Sequence, residues 1–250
     1  MNRSIVVLVA ILLSGLHPLG TFSQETPAAR PLTIVALGDS TTAPRGKLKI
    51  YAECLKEDLP KQGLKVDIIN AGIGGQSTAD AAKRFEKDVS SKHPDIVIIQ
   101  FGLNDSTINV WKNPPDTKSR VSQGQYVTQL EQWVETLRKQ NIQVILMTPN
   151  PMRWTPQLIK LYGKPPYLPK DPDGLNVTLI PYVQDVRDLA KKHKLPLVDV
   201  YAAFQKHGKL PGKSVDGLLL DGMHPNDEGQ RMIADMLIET IVKQQGQSGR

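Results

Sequence analysis

The chain has 250 residues, of which 40% are hydrophobic, 22% charged and 5% aromatic. That balance excludes a disordered segment or a fibrous protein, and the length allows one domain, or two small ones, around a sizeable core. The net charge of +6 is carried by scattered lysines, often beside an acid as in Lys83 to Asp88; no basic run interleaved with aromatics points to nucleic acid.

Arg3 and the apolar run Ile5 to Leu16 come first, and Thr21 and Ser23 stand at the −3 and −1 positions of a cleavage site before Gln24. This is the layout of a secretory signal peptide over residues 1–23. About a dozen apolar residues are too few to cross a bilayer of ~30 Å, so a stable membrane anchor is not expected. No cysteine lies near the cleavage site to carry a lipid. The expected destination is the periplasm or the medium. The lone cysteine, Cys54, cannot close an internal disulfide; it sits among Tyr51, Leu55 and Leu59 on a helical pattern and reads as a small buried hydrophobe.

Residues 24–31 read as a tether, 32–244 as a single domain and 245–250 as a tail. Within the domain, short runs rich in Val and Ile alternate with longer amphipathic stretches. Strands are expected at 32–37, 66–70, 96–101, 144–148 and 197–200, each of the kind buried on both faces of a parallel sheet. Helices are expected at 48–59, 79–89, 126–138, 180–192 and 229–242, where apolar residues recur three and four apart. The alternation predicts an α/β fold with a mostly parallel sheet and helices on both faces. Two connections, 105–122 and 149–176, are long and hold Trp111, Arg153, Trp154, Tyr162, Tyr167 and several prolines. Loops of that length in a compact domain are functional or disordered, and aromatic residues argue against disorder.

Four segments stand where ligands bind in such a sheet, beyond the carboxyl ends of strands. Gly38-Asp39-Ser40 follows the first strand and presents a hydroxyl on a tight bend, although Asp and Ser suit a plain turn or helix cap equally. Asn70-Ala71-Gly72-Ile73-Gly74-Gly75 ends the second strand, where backbone N–H groups suit an oxyanion or a phosphate. Its glycine spacing is not that of a dinucleotide-binding turn, and no P-loop lysine accompanies it. Gly102-Leu103-Asn104-Asp105 follows the third strand and offers a side-chain amide as donor, or a turn. Asp221-Gly222-Met223-His224-Pro225 precedes the last helix and supplies a general base with a carboxylate three residues earlier, or a pair of metal ligands.

In their order and their places at strand ends, these segments together resemble the four sequence blocks of the SGNH (GDSL-like) hydrolase family, over about Leu32 to Ile241. The resemblance implies a flavodoxin-like three-layer α/β/α sandwich around a five-stranded, mostly parallel sheet. It implies Ser40 as nucleophile, His224 as base and Asp221 as its partner. It further implies an oxyanion hole from the Ser40 N–H, the Gly75 N–H and the Asn104 side chain, with no metal or organic cofactor. The first block reads GDSTT in place of the GDSLS of lipase-like members, which weakens a lipase reading more than a hydrolase reading.

The expected activity is that of a secreted serine esterase, with deacetylation of carbohydrate ahead of hydrolysis of short-chain or lipid esters. The expected partner is a small-molecule, oligosaccharide or polysaccharide ester. Asp39, Trp111, Arg153 and Trp154 are the candidate substrate contacts, the aromatics by stacking on sugar faces; Asp39 reads more readily as fixing the bend around Ser40 than as a second acid beside Asp221. A binding module that has lost turnover is the alternative from another class, and the intact set of Ser, Gly, Asn, Asp and His speaks against it. Asn104-Asp105-Ser106 and Asn176-Val177-Thr178 match the N-glycosylation pattern; a glycan on Asn104 is incompatible with a role in the oxyanion hole.

Overall fold

A computed structural model describes residues 30–248; the expected signal peptide and most of the tether lie outside the described residues. Five strands, β1 (Leu32–Gly38), β2 (Val66–Gly72), β3 (Ile96–Gln100), β4 (Gln143–Met147) and β5 (Leu197–Val198), form one sheet in the order β2-β1-β3-β4-β5, with every neighbouring pair parallel. The period of two along each strand feeds two separate cores. Ile34, Ala36, Ile96 and Ile98 enter one, and Val35, Leu37, Val97 and Ile99 enter the other, all essentially without exposure. Each such Ile or Leu contributes roughly 1.5–3 kcal/mol of burial.

Nine helices are described: α1 (Tyr51–Asp58), α2 (Thr78–Ala82), α3 (Phe85–Asp88), α4 (Leu103–Ser106), α5 (Gln123–Lys139), α6 (Pro156–Tyr162), α7 (Ile180–His193), α8 (Val200–His207) and α9 (Asp227–Ser248). Helices α1, α8 and α9 cover one face through Tyr51, Cys54, Leu55, Phe204, Ile233 and Leu237. The opposite face takes α2, α3, α5 and α7, with Phe85 stacked on Trp133 at a ring separation of 5.3 Å. Cys54 is a buried free thiol within the first core, in keeping with its expected place.

The departures from the expected elements have specific hydrogen bonds behind them. The stretch expected as one helix over 79–89 is broken between α2 and α3 at Arg84, whose guanidinium donates to the Ala71 carbonyl at 2.7 Å and to Gln76 Oε1 at 2.6 Å. The fifth strand stops at Val198 because Asp199 accepts from the Ala202 N–H at 3.0 Å and caps α8, a helix the apolar pattern had concealed. Helix α9 runs on to Ser248, through most of the expected tail, and Gln245 Nε2 donates to Gln143 Oε1 on β4 at 3.1 Å. The two long connections are ordered over a third core of Leu103, Val110, Met152, Leu158, Tyr162 and Tyr167. Tyr167 pins one to the other, its hydroxyl accepting from the Ile108 N–H at 2.9 Å.

The chain leaves β1 for β2 on one side and returns to β3 on the other. That reversal opens a crevice beyond the carboxyl ends of β1 and β3, the end at which all four singled-out segments meet.

Candidate active site

The site begins where β1 ends. Gly38 and Gly72 stand opposite each other in the sheet, and the turn after Gly38 folds back onto both. A Cβ at Gly38 would fall 2.1 Å from Thr42 Oγ1, and one at Gly72 would fall 2.4 Å from the Ala43 nitrogen. Only glycine admits that approach. The Asn70 side chain locks the turn, donating to the Thr42 carbonyl at 2.7 Å while accepting from the Gly72 N–H at 2.8 Å.

Asp39 closes the bend from inside: its Oδ1 accepts from the Thr41 N–H at 2.9 Å. The residue is 0% exposed, which corrects its expected place among the substrate contacts and leaves it the bend. Burial pushes its carboxyl up to about 7, with Asp105 adding to the rise, and its Oδ2 has no partner among the described residues.

Ser40, presented by this turn, meets the histidine from the far end of the chain. His224 Nε2 lies 2.9 Å from Ser40 Oγ, and His224 Nδ1 lies 2.8 Å from Asp221 Oδ2. Asp221 also accepts the backbone N–H groups of Met223 at 3.1 Å and His224 at 2.9 Å. Partial burial alone would raise the Asp221 carboxyl; these N–H groups and the imidazole outweigh it and hold it below the usual carboxylate range. Burial holds the His224 imidazole below its ordinary value in spite of Asp221, with Arg45 acting in the same direction. That shift favours the neutral imidazole, the form in which a histidine accepts a proton.

The sharp loop that carries this pair depends on Gly222, at φ +82°, where a Cβ would fall 2.5 Å from the Arg153 carbonyl. Beyond Ser40, Gly75 takes φ +77° with open space on its Cβ side, and a Cβ on Gly74 would approach Ser40 Cβ to 3.9 Å. Asn104 sits on α4, next to Asp105, whose Oδ1 accepts from the Thr78 N–H at 2.8 Å and the Thr78 hydroxyl at 2.6 Å. Asp105 thereby ties the third segment to the helix that follows the second. The N–H groups of Ser40 and Gly75 and the Asn104 side-chain amide donate to no protein atom among the described residues. Donors left without a protein acceptor suit an oxygen that gains negative charge.

The remaining candidates lie in the two long connections. Trp111 is 50% exposed on an open groove of about 800 Å³ that Asn109, Lys118 and Arg120 also line. Arg153 is turned inward: its guanidinium bonds Asp173 and lies 3.5 Å from Gln205 Oε1, which leaves it holding the loop. Trp154 donates from its ring nitrogen to the Asp171 carbonyl at 2.9 Å. Asn176 is fully buried and bonds both the N–H and the carbonyl of Met152, so its glycosylation pattern has no room for a sugar. No group of three or more His, Cys, Asp or Glu side chains poised for a metal occurs among the described residues.

Sequence reasoning missed Asn150, Gln230 and Arg120. Asn150 and Gln230 clamp Thr41, the first by accepting its hydroxyl at 3.3 Å and the second by donating to its carbonyl at 3.1 Å. The only signal for Asn150 was its place just past β4, at the same end of the sheet as the other segments.

A parallel α/β sandwich with these four segments at the carboxyl end of its strands is an SGNH-type hydrolase. The GDSL-like lipase/acylhydrolase family profile matches residues 36–232, and the chain belongs to that family. Its members and relatives make it a carboxylic ester hydrolase. The chain is 32% identical over 218 residues to an uncharacterized lipoprotein of Bacillus subtilis, YqeF, covering 80% of this chain and 85% of the relative. It is 27% identical over 185 residues to an acetylxylan esterase of Geobacillus stearothermophilus, covering 73% and 74%. Among solved structures it resembles a lipase/acylhydrolase of Enterococcus faecalis, with TM-score 0.65, 25% identity and coverage of 85% and 96%.

Proposed function

We propose that the protein is an exported serine esterase that removes acetyl groups from carbohydrate through an acyl-enzyme. The observation that carries the mechanism is the continuous chain from Asp221 through His224 to Ser40, at 2.8 and 2.9 Å. Ser40 Oγ forms a bond to the acyl carbon while its proton passes to His224 Nε2. The carbonyl oxygen becomes an oxyanion and takes the N–H groups of Ser40 and Gly75 and the Asn104 Nδ2, each worth about 3 kcal/mol. His224 then returns the proton to the leaving alkoxide as the bond to the alcohol breaks. A water molecule then attacks the acyl carbon as it gives a proton to His224; the bond from the acyl carbon to Ser40 Oγ breaks, His224 returns the proton to Ser40 Oγ, and the acid leaves.

The carbohydrate reading is supported by Trp111, whose half-exposed ring borders the groove beside Arg120, and by the acetylxylan esterase among the relatives. A short-chain acyl ester is the second reading, favoured by Ile73 and Leu220, which are 41% and 57% exposed on the two loops that flank Ser40 and His224. Export rests on the layout of residues 1–23; among the described residues no helix is long and apolar enough to cross a membrane.

The test is hydrolysis of p-nitrophenyl acetate, butyrate and octanoate, and acetate release from acetylated xylo-oligosaccharide, by the wild type and by Ser40→Ala. Turnover that falls by orders of magnitude in the alanine variant, with acetyl preferred, is the expected result. Equal activity of both proteins removes Ser40 as nucleophile, and a preference for octanoate replaces the carbohydrate reading with a lipid one.

A further inference from the structure

We propose that Arg120 is a positioning residue of the oxyanion hole: it dictates which end of the Asn104 amide faces the reacting carbonyl. The inference rests on the proposed role of Asn104 and deepens it. A primary amide has two nearly isosteric ends, one that accepts hydrogen bonds and one that donates. Turned one way, Asn104 offers an oxyanion two N–H donors; turned the other, it offers a lone pair that repels it. Nothing in the asparagine itself chooses between them, because its terminal torsion is broad and roughly two-fold.

Arg120 makes the choice. Its Nη1 lies 3.0 Å from Asn104 Oδ1. A guanidinium has five donors and no acceptor, so the atom facing it must be the amide oxygen and Nδ2 must face away. Nδ2 then stands without a protein acceptor among the described residues, as the N–H groups of Ser40 and Gly75 do. The same contact draws electron density toward Oδ1, which makes the N–H groups stronger donors, as expected of a charge-assisted bond.

The guanidinium is itself held from its other edge. Arg120 Nε and Nη2 both donate to Asn109 Oδ1, at 3.2 and 3.0 Å. Asn109 is 5% exposed and donates in turn from Nδ2 to Asp116 Oδ2 at 2.8 Å. The Arg120 backbone N–H donates to the Thr107 carbonyl at 3.0 Å, and the Thr107 hydroxyl to the Leu103 carbonyl at 2.7 Å, beside Asn104. The long connection over 105–122 is therefore a brace that ends on the oxyanion-hole amide.

A double-mutant cycle with Asn104→Ala tests this, with p-nitrophenyl acetate as substrate and thermal unfolding as the check on folding. Free rotation alone would halve the population of the correct amide end, and complete loss of the donor costs about 10²–10³-fold. Arg120→Ala is therefore expected to lower kcat by about 10-fold, between those limits, with KM changed less than about twofold. In the Asn104→Ala background the same substitution should change kcat by less than about twofold, because the group it acts through is gone. Arg120→Lys, which keeps a cationic donor, should recover part of the loss and stands in should the alanine variant unfold. Equal losses in both backgrounds, or no loss in either while Asn104→Ala is impaired, overturn the positioning role alone. Full activity of Asn104→Ala overturns the oxyanion-hole assignment on which it rests.

Discussion

Asn150 donates from Nδ2 to the Met223 carbonyl at 2.8 Å, and so fastens the segment after β4 to the loop that carries Asp221 and His224. Its Oδ1 accepts from the hydroxyl of Thr41, the residue after Ser40, at 3.3 Å. One amide, 1% exposed, thus sets the Ser40 turn against the His224 loop.

Asn150→Ala leaves the part-buried Met223 carbonyl and the buried Thr41 hydroxyl without this partner, at a cost of about 1–3 kcal/mol. For a domain of this size that lowers Tm by roughly 2–4 °C per kcal/mol. The larger effect is expected on catalysis, since the 2.9 Å contact from His224 to Ser40 is what the clamp preserves. We expect kcat to fall at least about 10-fold with KM nearly unchanged. Steady-state kinetics beside a melting curve decide this, and a variant that melts earlier but turns over normally refutes the clamp.

The pH profile follows from the environment of His224. Burial holds its pKa below the ordinary 6.5, and an imidazole in the proposed role of general base works only when neutral. The acid limb of kcat/KM should thus lie below pH 6.5. Asp221→Asn removes both the hydrogen bond and the charge that support the imidazolium. It should move the limb still lower and cut kcat on the order of 10²–10⁴-fold. A pH profile of both proteins checks the two claims together, and a wild-type limb above 6.5 contradicts the first.

The first segment tests why glycine stands where it does. In Gly72→Ala the new Cβ would meet backbone of the turn after Ser40, 2.4 Å from the Ala43 nitrogen and 2.6 Å from the Thr42 carbonyl carbon. Backbone cannot yield as a side-chain tip does, so a loss of about 1–3 kcal/mol or more and impaired turnover are expected. Gly63→Ala is the contrast: its φ of +81° strains an alanine by about 1 kcal/mol, but no atom lies within 4 Å. Its stability should drop slightly and its kcat stay unchanged. Should Gly72→Ala behave like Gly63→Ala, the close approach is not what requires glycine.

Much of this was legible in the sequence because local rules and tertiary structure agreed. Ile34 to Leu37 read as part of a strand buried on both faces, and strands alternating with helices read as a parallel sheet, whereas the strand order came only with the structure. Asp221 and His224 lie on one loop, so their pairing needed no long-range assembly. Asn150, Gln230 and Arg120 were not legible, because each acts through a contact 16 or more residues away in sequence. Arg153 looked like a binding residue and proved to be a strut, since nothing in its own neighbourhood announced Asp173 or Gln205. The break at Arg84 was hidden for the same reason: the carbonyl of Ala71 that draws it inward lies on β2, 13 residues earlier.

Asp39 carries the last prediction, which concerns stability. In the folded chain burial lifts its pKa to about 7, against 3.8 for the free group. Between those values the folded state holds a proton that the unfolded chain has lost. Stability therefore falls as pH rises through this window, and the penalty is complete above about pH 7. Its size is on the order of 4 kcal/mol at most. Asp39→Asn stays neutral at every pH and keeps an oxygen for the Thr41 N–H, now accepted by Oδ1 at 2.9 Å. The Tm of the wild type minus that of the variant should thus grow more negative from pH 5 to pH 9, by at least ~5 °C. Taking the difference cancels the titration of groups common to both proteins. A difference that stays constant across the range means that Asp39 is already ionised at pH 5, with its charge met by a group that burial alone does not reveal.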